Sequence, residues 1–204
     1  DTEVHPGWLE ALTDELEENL STGVVGARLL YPDGTVQHAG VAIGRDQIPY
    51  HIHRGLPADH PLVKDRRTYA VVTGACAAVR RKEFYAIGMF DEMFLNGHED
   101  IDLCHRYRQL GMSVVYKPEC TVIHHESVSE GRMAYQSQNL ARTFEKWRPH
   151  LVQDDFAYAF PEAVRALVDR PLTFAIKIGA PDRTHTAWGD IYFAEGMAKS
   201  LSRL

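Results

Sequence analysis

Cysteine is scarce: Cys76, Cys104 and Cys120 are an odd number at wide spacing, which fits neither a disulfide framework nor a paired zinc ribbon. They are expected as buried free thiols. No apolar run is long enough to cross a bilayer, and the first residues are acidic where a signal peptide would carry positive charge. No transmembrane segment is therefore expected, and the cytoplasm is the expected compartment. Basic runs are missing as well. Lys and Arg number 22 against 28 Asp and Glu, and the formal charge of -6 is spread along the chain, which argues against a nucleic acid or an anionic membrane surface as partner. There is no internal repeat. What is present is an ordinary globular composition of 204 residues, 45% hydrophobic and 25% charged, enough for one well-buried core or one domain with a small appendage.

Strand and helix patterns alternate. Trp8, Leu9, Leu12, Leu16 and Leu20 recur at helical spacing behind Pro6, predicting an amphipathic helix over 6–20. A β-rich run at 24–31, the turn residues Pro32, Asp33 and Gly34, and a second run at 35–43 predict a hairpin. Residues 45–68 lack periodicity and hold three prolines and three histidines, which predicts a long loop of the kind that serves a binding site. A strand of small residues follows at 69–79, a short helix at 82–87, and a helix at 99–110 ended by Gly111. Two strands at 113–116 and 120–124 flank Lys117, Pro118 and Glu119; helices at 136–148 and 161–168, a β-like run at 172–178 and a helix at 188–203 complete the pattern.

Chemistry concentrates in four places. In NGHEDID, residues 96–102, Asn96 followed by Glu99 matches a capping box, and acids suit the positive end of a helix. A capping box needs only Glu99, however, and three acids in four residues repel one another. A carboxylate at a loop-to-helix junction is rigid yet reachable, as a general base toward a substrate hydroxyl must be; Asp100 or Glu99 can fill that role. The second place is His124 and His125, which end an apolar strand. Neighbours on a strand face opposite ways, so at most one is expected to ligate a metal, and a hydrogen-bonding role is the simpler reading. Asp1 and Glu3 are two acids two apart, suited to a hard cation if that strand end meets His124 or His125. Thr73, Gly74, Ala75 and Cys76 form a small-residue stretch that gives either close backbone packing or room for a ligand.

In order, the runs DTEVHPGWLEAL, GVVGARLLYPDGTVQHAGVAIG, HRGLPADHP, YAVVTGACAAVRR and MFDEMFLNGHEDIDLCHRYRQLGMSVVYKPECTVIHHESVS resemble the second half of bacterial family-two glycosyltransferases of GT-A type, over residues 1 to about 150. The resemblance implies an α/β, mixed-sheet half domain. It implies that Asp1 is the last acid of a DxD-like motif holding Mn²⁺ or Mg²⁺ against a nucleotide diphosphate, and that His124 or His125 completes that metal site. It makes Asp100, with Glu99 beside it, the base toward the acceptor hydroxyl. It places residues 73–76, with Asp102, at the sugar pocket. The reaction it implies is inverting transfer from a nucleotide sugar.

Family members carry a nucleotide-binding half before the DxD-like motif, and this sequence starts at the last residue of that motif. A chain of this kind is expected to work beside a separate nucleotide-binding subunit, or to be a non-catalytic remnant that keeps sugar or metal binding. The division expected is a GT-A-like domain over 1–168 and a truncated strand-helix appendage over 169–204. The appendage resembles the start of a GT-B type glycosyltransferase domain and is expected to pack on the first domain or on another copy of the chain.

Overall fold

The computed structural model describes residues 2–125 and 134–159, which lie in one compact unit, Asp1–Pro161. Asp1, the helix expected at 161–168 and the appendage expected over 169–204 lie outside the described residues.

The chain opens with β1 (Thr2–Val4) and α1 (Trp8–Glu18). The helix starts later than Pro6 because Gly7, at its N-cap, is left-handed with φ 81°, a conformation that no helix interior admits. Next come β2 (Thr22–Leu30) and β3 (Val36–His38), an antiparallel pair with Leu29 opposite His38. The single strand expected over 35–43 is broken at Gly40, where φ is 111°. A Cβ there would stand 2.4 Å from the Tyr69 ring, so only glycine lets the backbone pass. Beyond it, β4 (Val41–Ile43) leaves to pair with β5 (Pro49–His51) in a separate two-stranded sheet.

The stretch expected as a featureless loop at 45–68 thus contains β5, a 3₁₀ turn at Pro61–Val63 and most of β6 (Arg67–Tyr69). The strand expected over 69–79 is also divided. Thr73 caps a 3₁₀ turn at Gly74–Cys76, and β7 (Ala77–Val79) follows. Then come α2 (Arg81–Ala86), α3 (Glu99–Gln109) and β8 (Ser113–His124). β8 is one strand where two were expected. Lys117 sits opposite Ala27 and Thr121 opposite Arg28, so Pro118, Glu119 and Cys120 bulge out without ending the pairing. The last described elements are α4 (Gln136–Trp147) and α5 (Asp155–Ala159).

Parallel β2 and β8 form the centre of a six-stranded mixed sheet. β8 carries β6 toward its start and β1 at its end; β2 carries β7 and β3 in the same way, and all four flanking strands run antiparallel to their partners. Side-chain alternation sends Val25, Ala27 and Leu29 of β2, with Cys120 and Val122 of β8, toward Leu12 and Leu16 of α1. Val24, Leu30, Val114 and Tyr116 join a second core with Ile101, Leu103, Cys104 and Tyr107 of α3 and Trp147 of α4. The fold is therefore mixed α/β in three layers, with helices on both faces of the sheet.

Candidate active site

A parallel pair in an α/β sheet leaves a crevice beyond the carboxyl ends of its strands, where ligands characteristically bind. Leu29 near the end of β2 and His124 at the end of β8 line such a cleft, of about 570 Å³. It gathers Thr73, Gly74, Ala75, Glu99, Asp100 and His124, six of the residues singled out in the sequence, with Gln37, Tyr50, His51, Arg54, Asn96 and His98.

The acidic wall is built on an unusual backbone. Asn96, Gly97 and His98 have φ of 52°, 146° and 69° in succession, a strained run that turns the chain sharply into α3. The capping box expected from Asn96 and Glu99 does not form, because His98 rather than Asn96 is the N-cap. Glu99 instead accepts a hydrogen bond from the Gly97 amide at 2.7 Å. Asp100 is half-buried; its Oδ2 accepts from the Gly74 amide and its Oδ1 from the Ile101 amide, both at 2.8 Å. A carboxylate held at both oxygens by main chain is fixed in direction. Gly74 makes the approach possible, since a Cβ there would press on the Asp100 Cβ at 3.2 Å.

Helix α4 supports this wall from behind. The buried Asn139 amide donates to the Leu95 carbonyl at 2.7 Å and accepts from the Leu95 amide at 3.2 Å. Thr143 gives its proton to the Asn139 carbonyl, so its Oγ1 accepts from His98 Nδ1 at 2.7 Å. Burial holds the His98 imidazole below its usual range, against the pull of Asp100.

Buried Gln37 organises the histidines. Its Nε2 donates to the His124 carbonyl at 3.2 Å, which turns its Oε1 toward His124 Nδ1 at 2.6 Å. Nδ1 must then carry a proton, which makes Nε2 the ring nitrogen that can ligate when the imidazole is neutral. The Gln37 carbonyl accepts from His51 Nδ1 at 3.2 Å. The adjacent His38 donates from Nδ1 to the Ala27 carbonyl, and its Nε2 accepts from the Gly40 and Thr73 amides. Complete burial, and next the neighbouring His51, push its pKa well below the ordinary histidine range. His38 thus holds up the backbone at the start of the Gly74–Cys76 turn as a neutral ring. Gln37, His38 and His51 were missed in the sequence. For Gln37 and His38 the only signal was polar side chains in a run otherwise patterned as a buried strand; His51 is one of the three histidines of the 45–68 stretch, which was read as a binding loop without singling it out.

Three candidate residues do not join the cleft. Asp102 is fully buried and accepts from Trp147 Nε1 and Lys146 Nζ at Oδ1 and from Arg106 Nε at Oδ2. It anchors α3 to α4, and no sugar reaches it. Cys76 packs on the α1 side of the sheet, where its thiol meets that of Cys120. The Cys120 thiol is pushed up by Cys76 and by burial. His125 faces away from His124 and lies 2.9 Å from Glu3. For a divalent metal, His124 fits, since a ligating imidazole donates its other ring N–H to an oxygen as Nδ1 does here. No group of three His, Cys, Asp or Glu able to hold a metal occurs among the described residues. None of their helices is long and apolar enough to cross a membrane.

No family model matches the chain. It is 33% identical over 172 residues to the O-antigen biosynthesis protein RfbC of Myxococcus xanthus, a stretch covering 81% of this chain and 13% of that one. It is 30% identical over 148 residues to the N-acetylglucosaminyl-diphospho-decaprenol L-rhamnosyltransferase of Mycobacterium tuberculosis, covering 65% of this chain and 47% of that one. The crystal structure of GalNAc-T7 with UDP, GalNAc and Mn2+ superposes with a TM-score of 0.46 and 12% identity over 84% of this chain and 40% of that one, too slight a likeness to bear on function. The chain thus spans less than half the length of each of these proteins and is similar to part of each.

Proposed function

We propose that this chain is the acceptor- and metal-side half of a GT-A type glycosyltransferase that transfers a sugar from a nucleotide sugar with inversion, working with a nucleotide-binding half on another segment or subunit. The observation that carries the reading is the cleft at the carboxyl ends of β2 and β8, where the half-buried Asp100 carboxylate is locked by main-chain amides among Thr73, Gly74, Glu99 and His124. Two relatives, one a rhamnosyltransferase and one an O-antigen biosynthesis protein, support it.

In this reading residues 73–75 line the sugar pocket, and Cys76 and Asp102 act only through packing. The acceptor hydroxyl gives its proton to Asp100, or to Glu99 beside it, as its oxygen bonds to the anomeric carbon. The bond from that carbon to the diphosphate oxygen breaks, and the diphosphate leaves with the electron pair. Mn²⁺ or Mg²⁺, when bound, offsets charge on the departing diphosphate. His124 would hold it through Nε2, with Asp1, which immediately precedes the strand partner of His124. His125, engaged by Glu3, is the weaker ligand of the two histidines.

The test is calorimetric titration with UDP, UDP-sugars, nucleotide-activated L-rhamnose and free sugars, with and without Mn²⁺, followed by transfer assays on the binding donors. Binding strengthened by Mn²⁺ and weakened by His124→Ala is expected, with transfer lost in Asp100→Asn. Full transfer by Asp100→Asn removes the base assignment. Binding without turnover under any condition makes the chain a sugar- or metal-binding module, and silence in every titration overturns both readings.

A further inference from the structure

The acidic wall of the cleft includes a third acceptor, on the residue that opens α3. His98 lines the cleft beside Glu99 and Asp100, and its backbone is left-handed, with φ 69°. That region is free to glycine and costly to a residue with a Cβ, and strain of this kind gathers where a side chain is used. One use is to pin the turn, since Nδ1 lies 2.7 Å from Thr143 Oγ1. Oγ1 gives its own hydrogen to the Asn139 carbonyl at 2.9 Å, so it accepts from the ring, and Nδ1 carries a proton. Asn139 is held in turn at both amide atoms by Leu95, which gives the relay a single sense. Pinning the turn occupies Nδ1 alone. Nε2 makes no hydrogen bond among the described residues, and it is the polar atom the ring can offer to the cleft. Burial favours the neutral imidazole, and in a neutral ring with a hydrogen on Nδ1 the lone pair sits on Nε2. Such a nitrogen accepts hydrogen and gives none. The same holds for its carboxylate neighbours: each Asp100 oxygen takes one main-chain amide and keeps room for another donor. Residues 98–100 therefore suit a ligand that brings hydrogens on more than one group.

We propose that His98 is a specificity residue for the acceptor: its Nε2 takes the hydrogen of a second hydroxyl on the sugar ring whose first hydroxyl meets Asp100. The site then selects a neutral sugar with two free ring hydroxyls and rejects one that is deoxygenated or alkylated at the second position. That this sugar is the transfer acceptor rests on the glycosyltransferase reading, but the contact itself does not require turnover. A polar group fixed in direction discriminates strongly, because a ligand lacking the matching hydroxyl covers Nε2 without satisfying it.

Nitrogen-15 NMR of the histidine rings in the full chain, above neutral pH, tests the first half. His98 is expected with its hydrogen on Nδ1, and Thr143→Val, which removes the acceptor of that hydrogen, is expected to shift it toward Nε2. A wild-type ring with its hydrogen on Nε2, or an unshifted ring in Thr143→Val, overturns the proposal. The second half is read by titrating methyl α-L-rhamnopyranoside, methyl β-D-glucopyranoside and methyl β-D-galactopyranoside, then the monodeoxy forms of whichever binds. One deoxy form is expected to bind about tenfold more weakly than its parent. The parent should move the Nε2 signal and that deoxy form should not. His98→Phe keeps a flat ring without the lone pair; it is expected to bind the parent about tenfold more weakly and to treat parent and deoxy form alike. Binding of none of the three glycosides, a parent that leaves Nε2 unmoved, or a His98→Phe variant that still prefers the parent overturns the proposal. If His98→Phe fails to fold, the wild-type Nε2 response to parent and deoxy form decides alone. His98-dependent binding without sugar transfer would remove the transferase reading and leave this contact standing. Transfer that needs Asp100 but proceeds undiminished in His98→Phe would remove this contact alone.

Discussion

Asp100 and Asp102 are two residues apart on α3, about 200° apart around the helix axis. Asp102 has no exposed side-chain surface and takes three donors, from Trp147, Lys146 and Arg106. Removing it strands a buried indole N–H and leaves two cations without their shared counter-charge, although Lys146 keeps Asp91 at 2.8 Å. Asp102→Ala is therefore expected to lower unfolding free energy by about 2–3 kcal/mol. Asp100→Asn keeps an oxygen for one of its two amides and is expected to cost less than about 1 kcal/mol. Urea unfolding of the two variants checks the contrast, and a larger loss in Asp100→Asn would make Asp100 a structural residue. The acidic cluster was plain in the sequence, and so was its place at a helix start. Which acid turned inward was not, because the deciding partner, Trp147, lies on another helix.

At the scale of elements, Asn139, Thr143 and Trp147 recur every fourth residue on α4, so one buried face meets three successive points: Leu95, His98 and Asp102. That face steadies the left-handed run at 96–98, where each non-glycine costs roughly 1–2 kcal/mol on its own. Thr143→Val removes the acceptor of His98 Nδ1 while keeping the shape. It is expected to cost about 1–2 kcal/mol and to speed hydrogen exchange at the amides of 97–99; unchanged exchange would mean that α4 does not steady the turn. α1 to α4 fall within about two residues of where periodicity and end signals put them. The strands at 35–43 and 69–79 were legible only as β-rich stretches. Their breaks come from the Tyr69 ring against Gly40 and from the turn that presents Gly74 to Asp100, contacts made by residues remote in the chain.

For the molecule as a whole, the α/β class was legible because helical and strand periods alternate. Pairing order was not, since six strands around one parallel pair can be arranged in many ways. Acid stability follows from histidines that the fold wholly or partly buries. His53 and His105 are held to about 4, first by burial and then by neighbouring cations, and His38 is held well below its usual range by burial. In the unfolded chain each takes up a proton near 6.5. These folded values are depressed, so the contribution is complete above about pH 6.5 and is lost as the pH falls through the folded values toward 4, where the unfolded chain binds protons that the native one refuses. The urea midpoint should fall over that window and fall less in His105→Phe; a flat profile would mean these rings are already protonated in the fold. The arrangement of β8 also sets an order of assembly. β1, β2 and β6 all pair with it, yet it is the last strand described along the chain, so a nascent chain that has reached only residue 112 holds three strands with edges awaiting a partner. Such pairings between distant segments close slowly, and the sheet cannot lock from its beginning: it locks when its centre arrives last.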